Sequence, residues 1–344
     1  MTPTQNTSSP PGRNATGDTA TRTAGALPAR GVVELPTLLL ILVDYGAWLA
    51  ITFMYTRWPL LIVAPIATVL VTLHSSLQHE IVHGHPTRWV GINRLFALVP
   101  LSLWLPYERY HHTHRVHHID PRLTDPLDDP ESFYWRPEDW ARLGSVSRFI
   151  HRVQQTLAGR VLIGSFWRIG MFLRDEVLAL LHREKRTLIR NQQNIVGVWL
   201  EHLLWAVPVI VWLKLVCDMP LWVYVVAIVI PSNGLVLIRS FAEHRARPGM
   251  RERTALVERS WLLGPLFLFN NLHALHHEAP KIPWYQYNAR YRAARERLIA
   301  ENDGLVYDSY FDIARRFLFR GHDVLPHPTG RVPPPAEPAL PRTG

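Results

Sequence analysis

Four apolar runs, each about twenty residues long, stand out from the polar remainder of the 344-residue chain. The first reads PTLLLILVDYGAWLAITFMY, from Pro36 to about Tyr55, and the second starts after only Thr56, Arg57 and Trp58 and covers residues 59–78. The third, residues 195–216, meets the fourth, residues 219–241, across Cys217 and Asp218 alone. A helix rises 1.5 Å per residue, so about twenty residues cross the ~30 Å of bilayer hydrocarbon. Connections this short force antiparallel neighbours. The pattern therefore predicts an all-α integral membrane protein, with four transmembrane helices in two hairpins. Asp44 interrupts the first run, and an acid is costly in lipid, so it is expected to face protein.

Two further apolar stretches, residues 91–106 and 261–269, are too short to cross, and the first is broken by Pro100 and Pro106. Both are expected at the membrane interface. Residues 1–34 are rich in Ser, Thr, Pro, Gly and Ala without an apolar period, and residues 321–344 are rich in Pro. Such segments cannot bury enough surface to order themselves, so both are read as tails. A single membrane domain over residues 35–320 remains, ending in an amphipathic basic helical region at 285–319.

Charge orients this frame. The net charge is +9, and arginines crowd residues 120–193, including Arg136, Arg142, Arg148, Arg152, Arg160, Arg168 and Arg174. Positive loops stay on the cytoplasmic side. Four spans with that lobe inside put both termini, and a cap on the ends of the second and fourth spans, in the cytoplasm. The basic residues flank apolar runs and form no compact motif interleaved with aromatics, which argues for membrane lipid and against nucleic acid as partner. The lone Cys217 excludes an internal disulfide framework and any CxxC site. Arginine greatly outnumbers the three lysines, Lys185, Lys214 and Lys281, the bias of a GC-rich genome; a bacterial inner membrane is the expected location.

Most of the eighteen histidines gather in that cap, in QHEIVHGH (78–85), HHTHRVHH (111–118), and EHR with NNLHALHH (243–245 and 270–277). His79 and His83 stand at i and i+4. His114, His117 and His118 stand at i, i+3 and i+4, and His273, His276 and His277 repeat the pattern. These spacings put imidazoles on one side of a helix. Eight imidazoles exceed what one four- to six-coordinate ion can use, so two metals are the expected count. Imidazole suits zinc, copper, iron and nickel alike, so ligand type alone does not name the ion.

In these boxes, HxxxH, HxxHH and HxxHH in that order, the sequence resembles the membrane-bound fatty acid desaturase and hydroxylase superfamily over roughly residues 36–290. The resemblance implies a cytoplasm-facing centre of two iron ions, cycling between Fe2+ and Fe3+, that uses O2 as co-substrate to oxidise an unactivated C–H bond of a fatty acid or fatty acyl chain. It also implies a ninth ligand, His244, which stands shortly after the last span and about thirty residues before the third box. The acidic run HHIDPRLTDPLDDPES suggests that Asp125 or Asp128 orients a ligand imidazole from behind, and His74 and Glu80 stand near enough to the first box to do likewise. His85, His111 and His112 fall outside the box pattern. His151, His182, His202, His322 and His327 are read as structural.

Rival site chemistries account for less. HEIVH is also the HExxH of zinc proteases, with Glu80 as base, but two boxes would then have no role. ExxH at Glu80–His83 and Glu108–His111 matches ferritin-like sites, which need further helical carboxylates. A non-enzymatic membrane protein that binds divalent metal is the alternative of another class. Among oxidations, desaturation ranks first, then hydroxylation, then oxidative decarboxylation to a terminal alkene. No haem or flavin module is evident, so electrons are expected from a separate ferredoxin or rubredoxin with its reductase, for which the basic lobe offers an acidic carrier a docking face.

Overall fold

A computed structural model describes residues 33–119, 122–181 and 194–328. The four apolar runs are helices α1 (Leu35–Phe53), α2 (Leu60–Val82), α9 (Ile195–Val216) and α10 (Leu221–Phe241), each long and apolar enough to cross a membrane. Pro59 precedes α2 and Pro220 precedes α10 in extended conformation, so each hairpin turns sharply at a residue that cannot continue the preceding helix. The apolar run of α2 ends at residue 78, but the helix does not. It runs on to Val82 and carries the first histidine box out of the apolar segment on a continuous helix.

The spans pack through a core in which Trp48 and Ile51 of α1 meet Val63, Ala67 and Val71 of α2, Val209 and Leu213 of α9, and Ile228 of α10. Tyr224 inside it is paired, as lipid surroundings demand. The Tyr224 hydroxyl donates to the Leu101 carbonyl at 2.7 Å and accepts from Trp48 Nε1 at 2.9 Å. Both later spans contain a π-helical turn, Trp212–Val216 and Val225–Val229, each near a proline, Pro208 and Pro231. Pro231 has no N–H to offer the Ala227 carbonyl, and Thr68 Oγ1 of α2 donates to it at 3.4 Å. Large apolar side chains point outward along the spans, Leu61 at 89% and Leu215 at 78% exposed. Asp44 is fully buried, its carboxylate 3.8 Å from His74 Nδ1 on α2.

The remaining elements build the cap. α3 (Val90–Leu98) and α4 (Tyr107–His117) follow α2. The arginine-rich stretch forms α5 (Pro137–Arg142), α6 (Ser145–Val153), α7 (Leu157–Leu162) and α8 (Gly164–Leu181). After α10 come β1 (Leu256–Val257), α11 (Leu263–Leu266), α12 (His273–Glu278), α13 (Tyr287–Glu301), β2 (Val306–Tyr307) and α14 (Tyr310–Phe317). The two short strands pair in parallel, Leu256 opposite Val306, and tie the third box to the C-terminal helices. Only α11, four residues long, forms in the 261–269 stretch, beside Trp261 at 83% exposure. The fold continues past residue 320. Tyr134 donates to Asp323, the Trp135 amide to the Leu325 carbonyl at 2.9 Å, and His322 and His327 are buried. Residues 1–32 and 329–344 of the expected tails (1–34 and 321–344), and His182, lie outside the described residues.

Candidate metal centre

Three helix ends and one extended strand meet beneath the cap. α2 contributes His79 and, at its C-cap, His83. α4 ends on His114 and His117, with His118 as C-cap, and α12 begins with His273 and carries His276 and His277. His244 follows α10 in an extended segment bridged to Thr254. These nine imidazoles form two groups whose ligand atoms lie within 4.8 Å of one another: His79, His83, His114, His118 and His276, and His117, His244, His273 and His277.

The grouping cuts across the boxes. At 100° per residue, positions i and i+4 are 40° apart on a helix, whereas i+3 lies 60° to the other side. His114 and His118 therefore share one group while His117 joins the other, and His273 and His277 share the second while His276 joins the first. The groups abut: the rings of His118 and His277 stack at 4.3 Å between centroids.

The outer nitrogens show what the inner ones can do. His117 Nδ1 donates to Asp129 Oδ1 at 2.9 Å and His114 Nδ1 to Glu131 Oε1 at 2.9 Å. His244 Nδ1 faces the Arg253 carbonyl at 3.3 Å, and His273 Nδ1 faces Asn270 Oδ1 at 3.2 Å. Asn270 is held that way round because its Nδ2 donates to Glu243 at 3.0 Å, which is itself 3.0 Å from the Arg239 guanidinium. Each acceptor fixes a proton on Nδ1 and leaves Nε2 a bare lone pair. Yet His117 and His244 face each other through Nε2 at 3.0 Å, and His244 and His273 at 2.9 Å. In the first group, His114 Nε2 lies 3.2 Å from His83 Nε2 and 3.1 Å from His118 Nε2, while the Nε2 of His79 is buried without a partner. Lone pairs that converge at such distances repel unless a cation sits among them. The donor set thus fits two metal ions bound by nitrogen.

Electrostatics agrees for most members. Burial, then the neighbouring imidazoles, holds His276 and His277 well below the ordinary histidine value, and His118 at about 2, so these rings are neutral and ready to ligate. His117 is the exception. Burial opposes its charge, but Asp129 and Glu131 outweigh burial and raise it to about 9. An incoming metal would displace that proton, which is the usual coupling of metal affinity to pH.

The sequence pattern that defines the fatty acid desaturase family matches residues 56–311, well over half of the chain and all nine histidines. The chain belongs to the fatty acid desaturase family. No curated protein matches it. As a desaturase-family protein it is an oxidoreductase acting on fatty chains, and its histidine groups are able to bind metal.

Against the sequence expectations, this desaturase-family site gathers all nine candidate ligands but assigns the outer shell differently. Asp125 does not hold a ligand ring: its Oδ1 accepts the amides of Leu127 and Asp128, at 2.7 and 2.9 Å, and so caps the turn. Asp129 and Glu131, further along the same acidic run, are the carboxylates on the imidazoles. Glu80 accepts the Trp284 amide at 3.2 Å and lies 3.9 Å from His79 Nδ1, beyond hydrogen-bond range, and His74 turns to Asp44. His85, outside the box pattern, pairs with Glu34 at 2.6 Å. Sequence reasoning gave no role to Glu243, Asn270 or Tyr287, whose hydroxyl meets His276 Nδ1 at 3.0 Å. Glu243 and Asn270 sit within the quoted EHR and NNLHALHH stretches. Nothing local distinguishes Tyr287.

Proposed function

We propose that this protein removes hydrogen from a saturated fatty acyl chain in an O2-dependent reaction at two irons, with a carbon–carbon double bond as the product. The observation that carries the reading is the pair of abutting all-imidazole groups, five and four strong, under four apolar helices. A single-zinc protease site would leave most of these ligands without a role. Irons held by these nine histidines would supply O2 reduction and hydrogen removal from carbon.

The chain's own part is positioning and exclusion. Asp129, Glu131, Asn270 and Tyr287 lock ring orientation, which keeps lone pairs aimed inward before metal arrives. His79, His114, His117 and His276 are at most 2% exposed, so these four ligands are shielded from water. The cap is read as cytoplasmic from its arginines, where a ferredoxin or rubredoxin can reach it. A bacterial inner membrane fits this orientation.

The deciding experiment supplies membranes containing the protein with a reductase, a carrier and isotopically labelled saturated acids, and analyses products by mass spectrometry. Labelled unsaturated acid is expected. Hydroxy acid or terminal alkene would replace desaturation by a different outcome, and no O2 consumption with exchangeable metal would return the protein to the class of metal binders.

A further inference from the structure

A cavity of about 620 Å³ lies between the loop after α4 and helices α7 and α8, walled by aromatic rings that include Trp104, Phe133, Trp135 and Phe172. It shares a wall with the metal centre. Residues 131–134, Arg160 and Arg168 line both this cavity and a smaller pocket, about 40 Å³, that reaches His244. Glu131, on that shared wall, is the residue bonded to His114.

Four arginines line the cavity, and their partners separate them into two kinds. Arg109 is neutralised by Glu176 at 2.6 Å, and Arg136 by Asp139 at 2.6 Å. Arg160 and Arg168 have no carboxylate within 4.0 Å among the described residues. Arg160 Nε donates to the Gln154 carbonyl at 2.9 Å, and its guanidinium lies 5.2 Å from the centre of the Phe133 ring. Its terminal nitrogens donate to nothing among the described residues. The three acids of the lining are already engaged: Asp139 with Arg136, Glu131 with His114, and Asp175 with a partner of its own. Burial, and then the like charge of Arg168, pull Arg160 down to about 10, which leaves it cationic at neutral pH. Arg168 also interacts at longer range with the carboxylates of Glu131 and Glu243, so the two guanidiniums lack a contact ion pair rather than any counter-charge. Beside aromatic walls they form an anion site, because a planar fork binds carboxylate or phosphate oxygens in pairs.

We propose that this cavity seats the anionic end of the fatty substrate, held by Arg160 and Arg168, with the aromatic rings covering the adjoining methylenes and the chain directed past Glu131 to the histidines. The inference rests on the reading of the centre as an acyl-oxidising site, and it adds that the substrate enters with its charge still on it. A free carboxylate and the phosphates of a thioester carrier share this chemistry.

The test is equilibrium binding, without turnover, to the iron-loaded protein in nanodiscs. The probes are dodecanoate, methyl dodecanoate and dodecanoyl-CoA. At least one anionic probe is expected to bind about 10-fold or more tighter than the methyl ester, and Arg160→Gln and Arg168→Gln each to erase about 10- to 100-fold of that affinity, the loss of a charge-assisted contact. Dodecanoate as the tighter anion identifies a free acid, dodecanoyl-CoA a thioester carrier; either supports the subsite. Equal binding of ester and anions, or equal losses for ester and anions in the variants, overturns it. Iron content verifies that each variant folds, and Arg160→Lys should recover part of the anion preference. Product formation with binding indifferent to Arg160 and Arg168 would overturn the subsite alone, whereas arginine-dependent binding without any oxidation product would overturn the oxidation reading alone.

Discussion

Asp129→Asn is the sharpest probe of the metal centre. The Asp129 carboxylate, 5% exposed, accepts three N–H groups: His117 Nδ1 and the Glu131 amide, each at 2.9 Å on Oδ1, and the Thr124 amide at 2.8 Å on Oδ2. Asparagine keeps one oxygen. With that oxygen toward His117, the new NH2 confronts the Thr124 amide, donor against donor, in a buried site. Turned the other way, the NH2 confronts His117 Nδ1 and drives its proton to Nε2, where it blocks the ligand position. Either arrangement gives up a charge-assisted bond or strands a donor, about 2–4 kcal/mol locally. Part of this is absorbed by relaxation and by the three other imidazoles of the group. Loss of such an outer partner usually lowers metal affinity about 10–100-fold, and that is the expected range. The loss should fall on one ion only, because the Asp129 bond reaches His117 and none of the five-histidine group. The assay dialyses iron-loaded protein against graded chelator and measures iron per chain. Wild type should lose two ions over a narrow range, whereas Asp129→Asn should fall to one ion at about 10- to 100-fold weaker chelation. Asp125→Asn, at a carboxylate that accepts the turn amides of Leu127 and Asp128 and acts on the charge of Arg253, should lower thermal stability without separating the two ions. Loss of both ions together in Asp129→Asn, or no loss at all, would refute the grouping.

Other consequences are checked more simply. Glu176→Ala takes the paired carboxylate from the buried Arg109 guanidinium and removes the acceptor of Trp199 Nε1 at 3.0 Å, so stability should fall by about 3–5 kcal/mol, seen as a lowered melting temperature in detergent. His322 is buried against Phe241 and Phe317 and accepts from Tyr307, and burial pulls it from 6.5 to about 4. Since the folded ring resists protonation, its contribution is intact above about pH 6.5 and is lost as pH falls to about 4, a total of about 3 kcal/mol. The stability-versus-pH curve of His322→Gln should be flatter in that window, and an unchanged curve would reject this account. His273→Ala should reduce iron toward one per chain with loss of activity, while His202→Ala, whose ring donates to the Leu103 carbonyl at 2.8 Å and packs against Trp199, should keep both ions.

The spans, their hairpins and the candidate ligands were legible because each is a short-range property. Hydropathy over about twenty residues and spacings of three and four on one helix need no knowledge of the rest of the chain. The same locality explains the errors. The acidic run after the second box was identified as the source of orienting carboxylates, yet finding Asp129 and Glu131 on the rings, with Asp125 turned to its own loop, depends on how the loop turns back beneath α4. Hydropathy marks only the apolar part of α2, to residue 78; that the helix continues through the polar box to Val82 is seen in the structure.

Sequence by itself determined that this protein crosses a membrane with four helices and concentrates nitrogen ligands at one end of them. Tertiary structure alone decided that the ligands of the three boxes, with His244, divide five and four, that Tyr287 and Asn270 stand behind two of them, and that Arg160 and Arg168 line one cavity with no carboxylate within 4.0 Å among the described residues. The reason is physical. Periodicity assigns a side chain to a face of its own helix, but the partner it meets there comes from a segment up to two hundred residues away, as Glu80 meets Trp284, and no local pattern records that encounter.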